Sequence, residues 1–264
     1  MKYRAVIFDL FQTLVPWDAE ESRRFSDQVA TTAGVEPERY WEAWLSGHHL
    51  PNRNTGPMTE HLQALFAELG VEPELEEVLA MRRERAKRTL VPWPDALPTL
   101  EELRRRGHLL GMISVCTEDV PQAWDETPLG GKFDATVFSC DVGVAKPDPR
   151  IYEIACERLE VEPRDCLFVG DGANEELPGA ERVGMTAIQL RVPGQPLTPE
   201  GETWTGPWVE HLGDVLGNAH SAGRGRLGRD HGKPQAAEVA RAVLDPKAFE
   251  NRPGDRHEDA IVSL

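Results

Sequence analysis

Four apolar residues, Ala5-Val6-Ile7-Phe8, run straight into Asp9, and a hydroxyl follows at Thr13. A run this short and this apolar suits a strand covered on both faces, the state of strands in a parallel sheet. Such a strand delivers the residue after it to the carboxyl edge of the sheet, where open α/β folds bind their ligands. Asp9 is therefore a candidate nucleophile. Its plainer use, capping the next helix, has to be weighed against what the rest of the chain brings to the same edge.

Four more runs have the same character: residues 109–114, 135–139, 166–170 and 186–190. Helical patterns lie between them. The clearest begins at Asp148-Pro149, an N-cap followed by proline at the first helical position, with Ile151, Ile154, Ala155 and Leu159 on one face. Strands alternating with helices predict an α/β fold, a Rossmann-like, doubly wound parallel sheet.

Residues 16–91 break that alternation. They contain no convincing strand and four helical stretches, 19–33, 37–46, 58–69 and 73–90, with a Gly/Pro/Asn-rich loop at 47–57. The chain returns through Val91-Pro92-Trp93-Pro94, where each proline biases the residue before it away from helix. The expected organisation is an α/β core at 1–15 and 92–215, an inserted all-helical cap at 16–91, and an extension at 216–264. In the extension, residues 221–232 are rich in Gly and Arg and read as a flexible linker, and residues 234–244 could form a short helix. Residues 218–264 carry 8 Lys+Arg against 7 Asp+Glu, so the body of the chain holds the negative charge.

A net charge of −16 over 264 residues argues against nucleic acid and anionic membranes as partners. The longest apolar run, 109–116, is far too short to span a bilayer, and Met1-Lys2-Tyr3-Arg4 carries no signal-peptide core. Cys116, Cys140, Cys156 and Cys166 match no zinc spacing and read as reduced thiols. A cytoplasmic protein, monomer or homodimer, acting on a small molecule is expected.

Three further segments carry chemistry. Leu109-Leu110-Gly111-Met112-Ile113-Ser114 ends on a hydroxyl, Ala145-Lys146-Pro147-Asp148-Pro149 holds a lysine, and Val169-Gly170-Asp171-Gly172-Ala173-Asn174-Glu175-Glu176 ends a strand on acids. A phosphoryl group gathers negative charge, so its transfer needs a nucleophile, a cation and donors around its oxygens. Asp9 supplies the first. Asp9 and Asp171, with the carbonyl of Phe11, could hold a divalent ion, and oxygen-only ligation is what Mg²⁺ prefers. Lys146 would offset the charge of the nucleophile, and Ser114 would donate to a phosphoryl oxygen.

In their order along the chain these four segments resemble the motifs of the haloacid dehalogenase-like (HAD) hydrolases, over about residues 3–212. The resemblance implies an aspartyl-phosphate on Asp9, phosphoryl binding by Thr13, Ser114 and Lys146, and a Mg²⁺ site at Asp9, Phe11, Asp171 and Glu176. Phe11 departs from it. Phosphatases of the family place an aspartate there to protonate the leaving oxygen, help worth ~10²–10⁴ in rate. The family's haloacid dehalogenases carry a non-acidic, often aromatic residue there, but they work without metal and lack the acidic fourth motif. Without a cation, Asp9, Asp171 and Glu176 would repel one another and push at least one pKa sharply upward. Mg²⁺-dependent hydrolysis of a small phosphorylated metabolite is the favoured expectation. A metal-free 2-haloacid dehalogenase using Asp9 is one alternative, and a catalytically impaired binding or regulatory protein is the other.

Three routes accommodate Phe11. The leaving group needs no proton; an acid comes from Asp18, His48, His49 or Glu118; or turnover is slow and the protein serves another role. His48 and His49 are also candidate substrate-binding residues. The Trp41/Trp44 pair reads as packing. Gln12 stands where the family has glycine, so its side chain must tolerate the backbone of that loop.

Overall fold

The structure is a computed structural model and describes residues 2–46 and 54–220. His48, His49, the stretches 221–232 and 234–244, and the rest of the extension beyond residue 220 lie outside the described residues.

Six parallel strands form one sheet: β1 (Ala5–Phe8), β2 (Leu109–Ser114), β3 (Ala135–Phe138), β4 (Cys166–Gly170), β5 (Thr186–Leu190) and β6 (Trp208–Val209). Their order is β3-β2-β1-β4-β5-β6. The chain thus steps one way from β1 and the other way from β4, which opens a crevice at the carboxyl ends of these two neighbours. Side chains alternate between the two faces, as the pleat requires. Val6 and Phe8 join Leu167 and Val169 in one apolar cluster, while Ala5 and Ile7 join Cys166 and Phe168 in the other.

Four helices follow β1 before the chain returns to the sheet: α1 (Ala19–Thr32), α2 (Pro37–Ser46), α3 (Met58–Leu69) and α4 (Leu75–Thr89). They have an apolar core of their own, in which Phe25, Val29, Tyr40, Leu62, Leu65, Phe66 and Val78 are buried together. Asp18 caps α1 by accepting from Glu21 N at 3.0 Å.

Helices on both faces complete the doubly wound core: α5 (Ala96–Arg105), α6 (Asp119–Ala123), α7 (Ser139–Val142), α8 (Pro149–Leu159) and α9 (Glu176–Arg182). α5 buries Ala96, Leu100 and Leu103 on the face of Val6 and Phe8. α8 buries Ile151, Tyr152, Ala155, Cys156 and Leu159 on the opposite face, with Ile154 only partly covered. The Asp148 cap forms as its sequence predicts, accepting from Arg150 N at 2.8 Å.

The sequence misplaces a few boundaries by one or two residues. β3 stops at Phe138 because Ser139 already opens α7, α1 stops at Thr32, and α4 runs from Leu75 to Thr89. β6 has no expected counterpart, since two residues show no periodicity. Among the described residues, no helix is long and apolar enough to cross a membrane.

Candidate active site

β1 and β4 lie in register, Phe8 beside Val169, and Asp9 N donates to Val169 O at 2.9 Å. The two acids that follow, Asp9 and Asp171, therefore leave the sheet side by side. β2 flanks β1 on its other edge with Met112 beside Phe8, so Ser114 reaches the same rim. Lys146 comes from the loop before α8, and Glu176 opens α9.

These side chains converge. Lys146 Nζ donates to Asp9 Oδ1 and to Glu176 Oε2. The other Glu176 oxygen, Oε1, accepts from Gly172 N at 3.0 Å, so serving as a metal ligand would require Glu176 to give up or share a bond. Asp171 Oδ1 accepts from Ala173 N at 3.2 Å, and Asp171 Oδ2 accepts from Gln12 Nε2 at 3.3 Å. Beneath it, Gln189 Nε2 donates to Asp171 O at 2.7 Å. Gln12 does adopt the left-handed backbone that the family's glycine suits, with φ 59°. That conformation costs a non-glycine residue about 1–2 kcal/mol, and here it brings an amide to the acid.

The electrostatics are unbalanced. Asp9, Lys146, Asp171 and Glu176 are 5%, 6%, 4% and 0% exposed, so water does little to screen them. Asp9, Asp171 and Glu176 each offer an oxygen within 4.8 Å of the others, against the single ammonium of Lys146. Burial first, then the charge of Asp9, pushes Asp171 up to about 7. Burial likewise lifts Glu176 well above the usual carboxylate range. Burial alone would lower Lys146, yet the charges of Asp9 and Glu176 outweigh it and hold the ammonium above its ordinary value. Fully ionised, three carboxylates and one ammonium would sum to −2, the deficit one divalent cation would close, and oxygen-only donors are what Mg²⁺ takes.

Two hydroxyls are also unsatisfied. Thr13 Oγ1 and Ser114 Oγ are buried without any hydrogen-bond partner. An unmet buried polar group costs about 1–3 kcal/mol, and a ligand oxygen at this rim would satisfy both.

Phe11 contributes a hydrocarbon ring where an acid was expected. Its ring packs against the apolar cluster of the sheet and meets Trp17 edge-on at 5.8 Å. The expected replacement acids fare differently. Glu118 Oε2 accepts from Met58 N at 2.7 Å, so it anchors the start of α3. Asp18 is occupied as the cap of α1, with its side chain 60% exposed. Trp44 stacks on Tyr40 as packing predicts, but both Trp41 and Trp44 also line a cavity of about 290 Å³ between the inserted helices and the β2 edge.

Sequence reasoning missed Arg82. It is buried, donating through Nη2 to Asp119 Oδ1 at 3.0 Å and to Thr117 Oγ1 at 3.2 Å, and it ties α4 to the loop after β2. A signal existed, because Val78, Arg82 and Ala86 recur at i, i+4 on the buried stripe of α4. Gln189 was legible in the same way, as a polar residue inside the apolar stretch of β5.

The family model of haloacid dehalogenase-like hydrolases matches residues 3–184. The chain is 31% identical over 197 residues to the glyceraldehyde 3-phosphate phosphatase of Methanopyrus kandleri, covering 71% of this chain and 84% of that protein. It is 36% identical over 121 residues to (S)-2-haloacid dehalogenase 4A of Burkholderia cepacia, covering 44% of this chain and 50% of that one. A HAD phosphatase structure from Thermococcus onnurineus aligns with a TM-score of 0.61 at 26% identity, over 82% of this chain and 98% of that one.

Proposed function

Because the chain belongs to the haloacid dehalogenase-like hydrolase family, we infer that this enzyme removes phosphate from a small phosphorylated metabolite through an aspartyl-phosphate on Asp9. The observation that carries this is the charge deficit: three buried carboxylates around one ammonium, with two buried hydroxyls lacking an acceptor. That set suits a divalent cation and a phosphoryl group together.

Asp9, Asp171 and the Phe11 carbonyl would hold Mg²⁺, with Glu176 at the margin of the set. When bound, the ion offsets the negative charge of the phosphoryl oxygens and of the nucleophile. Lys146 fixes Asp9 through Oδ1, and Oδ2 is the oxygen that attacks phosphorus as the bond to the leaving oxygen breaks. Thr13 and Ser114 donate to phosphoryl oxygens and orient the group for in-line attack. Water then hydrolyses the acyl phosphate, restoring the Asp9 carboxylate and releasing inorganic phosphate. The inserted helices act as a cap that covers the leaving group and sets specificity.

Metal-free displacement of halide by Asp9 is a second reading, favoured by the apolar side chain at Phe11 and by the similarity to a dehalogenase. Such chemistry has no use for three clustered acids. The test is acetyl phosphate, a small and activated substrate. Phosphate release should require Mg²⁺, stop in EDTA, and fall at least 1,000-fold in Asp9→Asn. Halide release from 2-chloropropionate in EDTA, with no phosphate release from acetyl phosphate, would reverse the assignment.

A further inference from the structure

The cavity of about 290 Å³ begins where the carboxylate site ends. It is lined by Phe11, two residues beyond Asp9, and by Cys116 and Thr117, just beyond Ser114. Its other walls come from α1, α2 and α4. A group bonded to a phosphoryl on Asp9 would extend into this space, so its walls describe the leaving half of the substrate.

Three properties of those walls narrow the ligand. They are first of all aromatic: Trp17, Phe25, Tyr40, Trp41 and Trp44 join Phe11. Arg85 lies over Phe25 at 4.9 Å and Arg82 over Trp44 at 4.9 Å, which fixes both rings in place. A dry cavity of roughly 150 Å³ takes a benzene molecule, so this one has room for one ring with substituents.

The buried charges of the walls are also paired. Arg82 is paired with Asp119 at 3.0 Å and Arg85 with Glu21 at 2.9 Å, and all four side chains are largely buried. Neither of these buried cations is left over for a carboxylate or second phosphate on the substrate, and Arg88, 65% exposed, shares Glu21 at 3.5 Å. Among the described lining residues, the one fully buried polar side-chain atom without a hydrogen-bond partner is Ser26 Oγ.

Finally, the carboxyl groups of the walls are already engaged as acceptors. Asp119 and Glu21 accept from Arg82 and Arg85, and Asp18 accepts from Glu21 N. The Thr117 hydroxyl is already committed to Asp119 at 2.6 Å. Phe11, two residues beyond Asp9, adds only a hydrocarbon ring to the wall. A leaving oxygen must therefore depart as an anion. A phenol tolerates that, ionising near ~10 as tyrosine does, whereas an alkanol does not.

We propose that this cavity binds a neutral, flat, single-ring phenol as the leaving group, so that the substrate class is an aryl phosphate monoester. This rests on the phosphatase function assigned above to Asp9. The reaction balances without an added acid: Asp9 forms the new O–P bond, the aryl O–P bond breaks, and the phenolate takes its proton from solvent after release.

The test uses the full chain with Mg²⁺ and four substrates: phenyl phosphate, benzyl phosphate, glycerol phosphate and acetyl phosphate. Benzyl phosphate carries the same ring on an alkanol oxygen, which separates binding from departure. Its KM should fall within about 5-fold of that for phenyl phosphate, while its kcat should be at least 100-fold lower, the low end of what a missing general acid is worth (~10²–10⁴). Glycerol phosphate should lose in both KM and kcat. Phenylphosphonate should inhibit competitively with phenyl phosphate. Equal turnover of glycerol and phenyl phosphates, with acetyl phosphate hydrolysed, would overturn the aryl assignment and leave the phosphatase function standing. Failure to hydrolyse acetyl phosphate would sink both.

Discussion

Gly170 leaves the space that the Glu176 carboxylate occupies: a methyl group on its Cα would overlap Glu176 Oε1. This is why the strand that delivers Asp171 ends on glycine. The acid that opens α9 can then fold back beneath the sheet edge, where Oε1 accepts from Gly172 N and Oε2 from Lys146. In Gly170→Ala the carboxylate must move off one of these partners. Overpacking costs about 1–3 kcal/mol, and loosening a buried ion pair adds to it. Urea unfolding should show a loss of at least about 2 kcal/mol, with Mg²⁺-dependent turnover reduced 100-fold or more. Unchanged stability would mean Glu176 is held some other way.

The raised pKa of Asp171 sets the sign of a pH effect on the metal-free protein. Unfolded, an aspartate of this kind titrates at 3.8, and in the fold it titrates at about 7. Between those values the folded chain binds a proton that the unfolded chain has released, so stability is full below about pH 4 and is lost as pH rises through 7. The size is on the order of 2–4 kcal/mol, shared with the neighbouring acids. In EDTA the urea midpoint of the wild type, measured relative to Asp171→Asn, should fall from pH 4 to pH 8. Saturating Mg²⁺ should abolish or invert that slope, because ligation favours the ionised acid. A relative midpoint that rises with pH in EDTA would contradict this picture of the site.

Ser114 offers a test of whether its hydroxyl serves folding or a ligand. It is wholly buried with no partner, so the free protein bears the cost of an unmet polar group. Ser114→Ala should leave the ligand-free protein as stable as wild type or about 1 kcal/mol more stable. The same change should lower kcat at least 10-fold, through loss of a donor to the phosphoryl oxygens. A destabilised variant with normal kcat would make Ser114 a structural residue.

These relationships differ in how far a sequence discloses them. The four segments bearing Asp9, Ser114, Lys146 and Asp171 are visible because each joins a strand run, or a helix start, to a residue that burial would ordinarily exclude. The inserted helices at 16–91 are visible because helical periodicity replaces strand runs there. What stays hidden depends on pairing across distance. Arg82 and Asp119 meet from positions 37 residues apart, and nothing local to either one names the other. Glu118 looked free to act as an acid, yet the start of α3 lies against it and takes its carboxylate as a cap. The cavity is hidden for the same reason, because its aromatic walls come from two helices and the loop after β1, whose packing no single window encodes.

Phe11 is the position at which the leaving-group requirement can be changed directly. Phe11→Asp would put a carboxyl on the cavity wall where the hydrocarbon ring now meets Trp17. Protonated, that carboxyl could donate to a departing alkoxide. The benefit should be selective: benzyl and glycerol phosphates should gain at least 10-fold in kcat, within the ~10²–10⁴ ceiling of general acid catalysis. Phenyl phosphate should gain less than about 3-fold, because its leaving group needs no proton. Phe11→Asn has nearly the same shape without an acidic proton and separates acid catalysis from a change in cavity volume; it should give no alkyl gain. Both variants remove a ring from the apolar cluster, a loss of about 3–5 kcal/mol if the ring behaves as fully buried core. Kinetics should therefore be read on the fraction that remains folded. If the aspartate raises alkyl and aryl turnover equally, or the asparagine matches it, the native site does not lack a proton donor and Phe11 limits the reaction by its size.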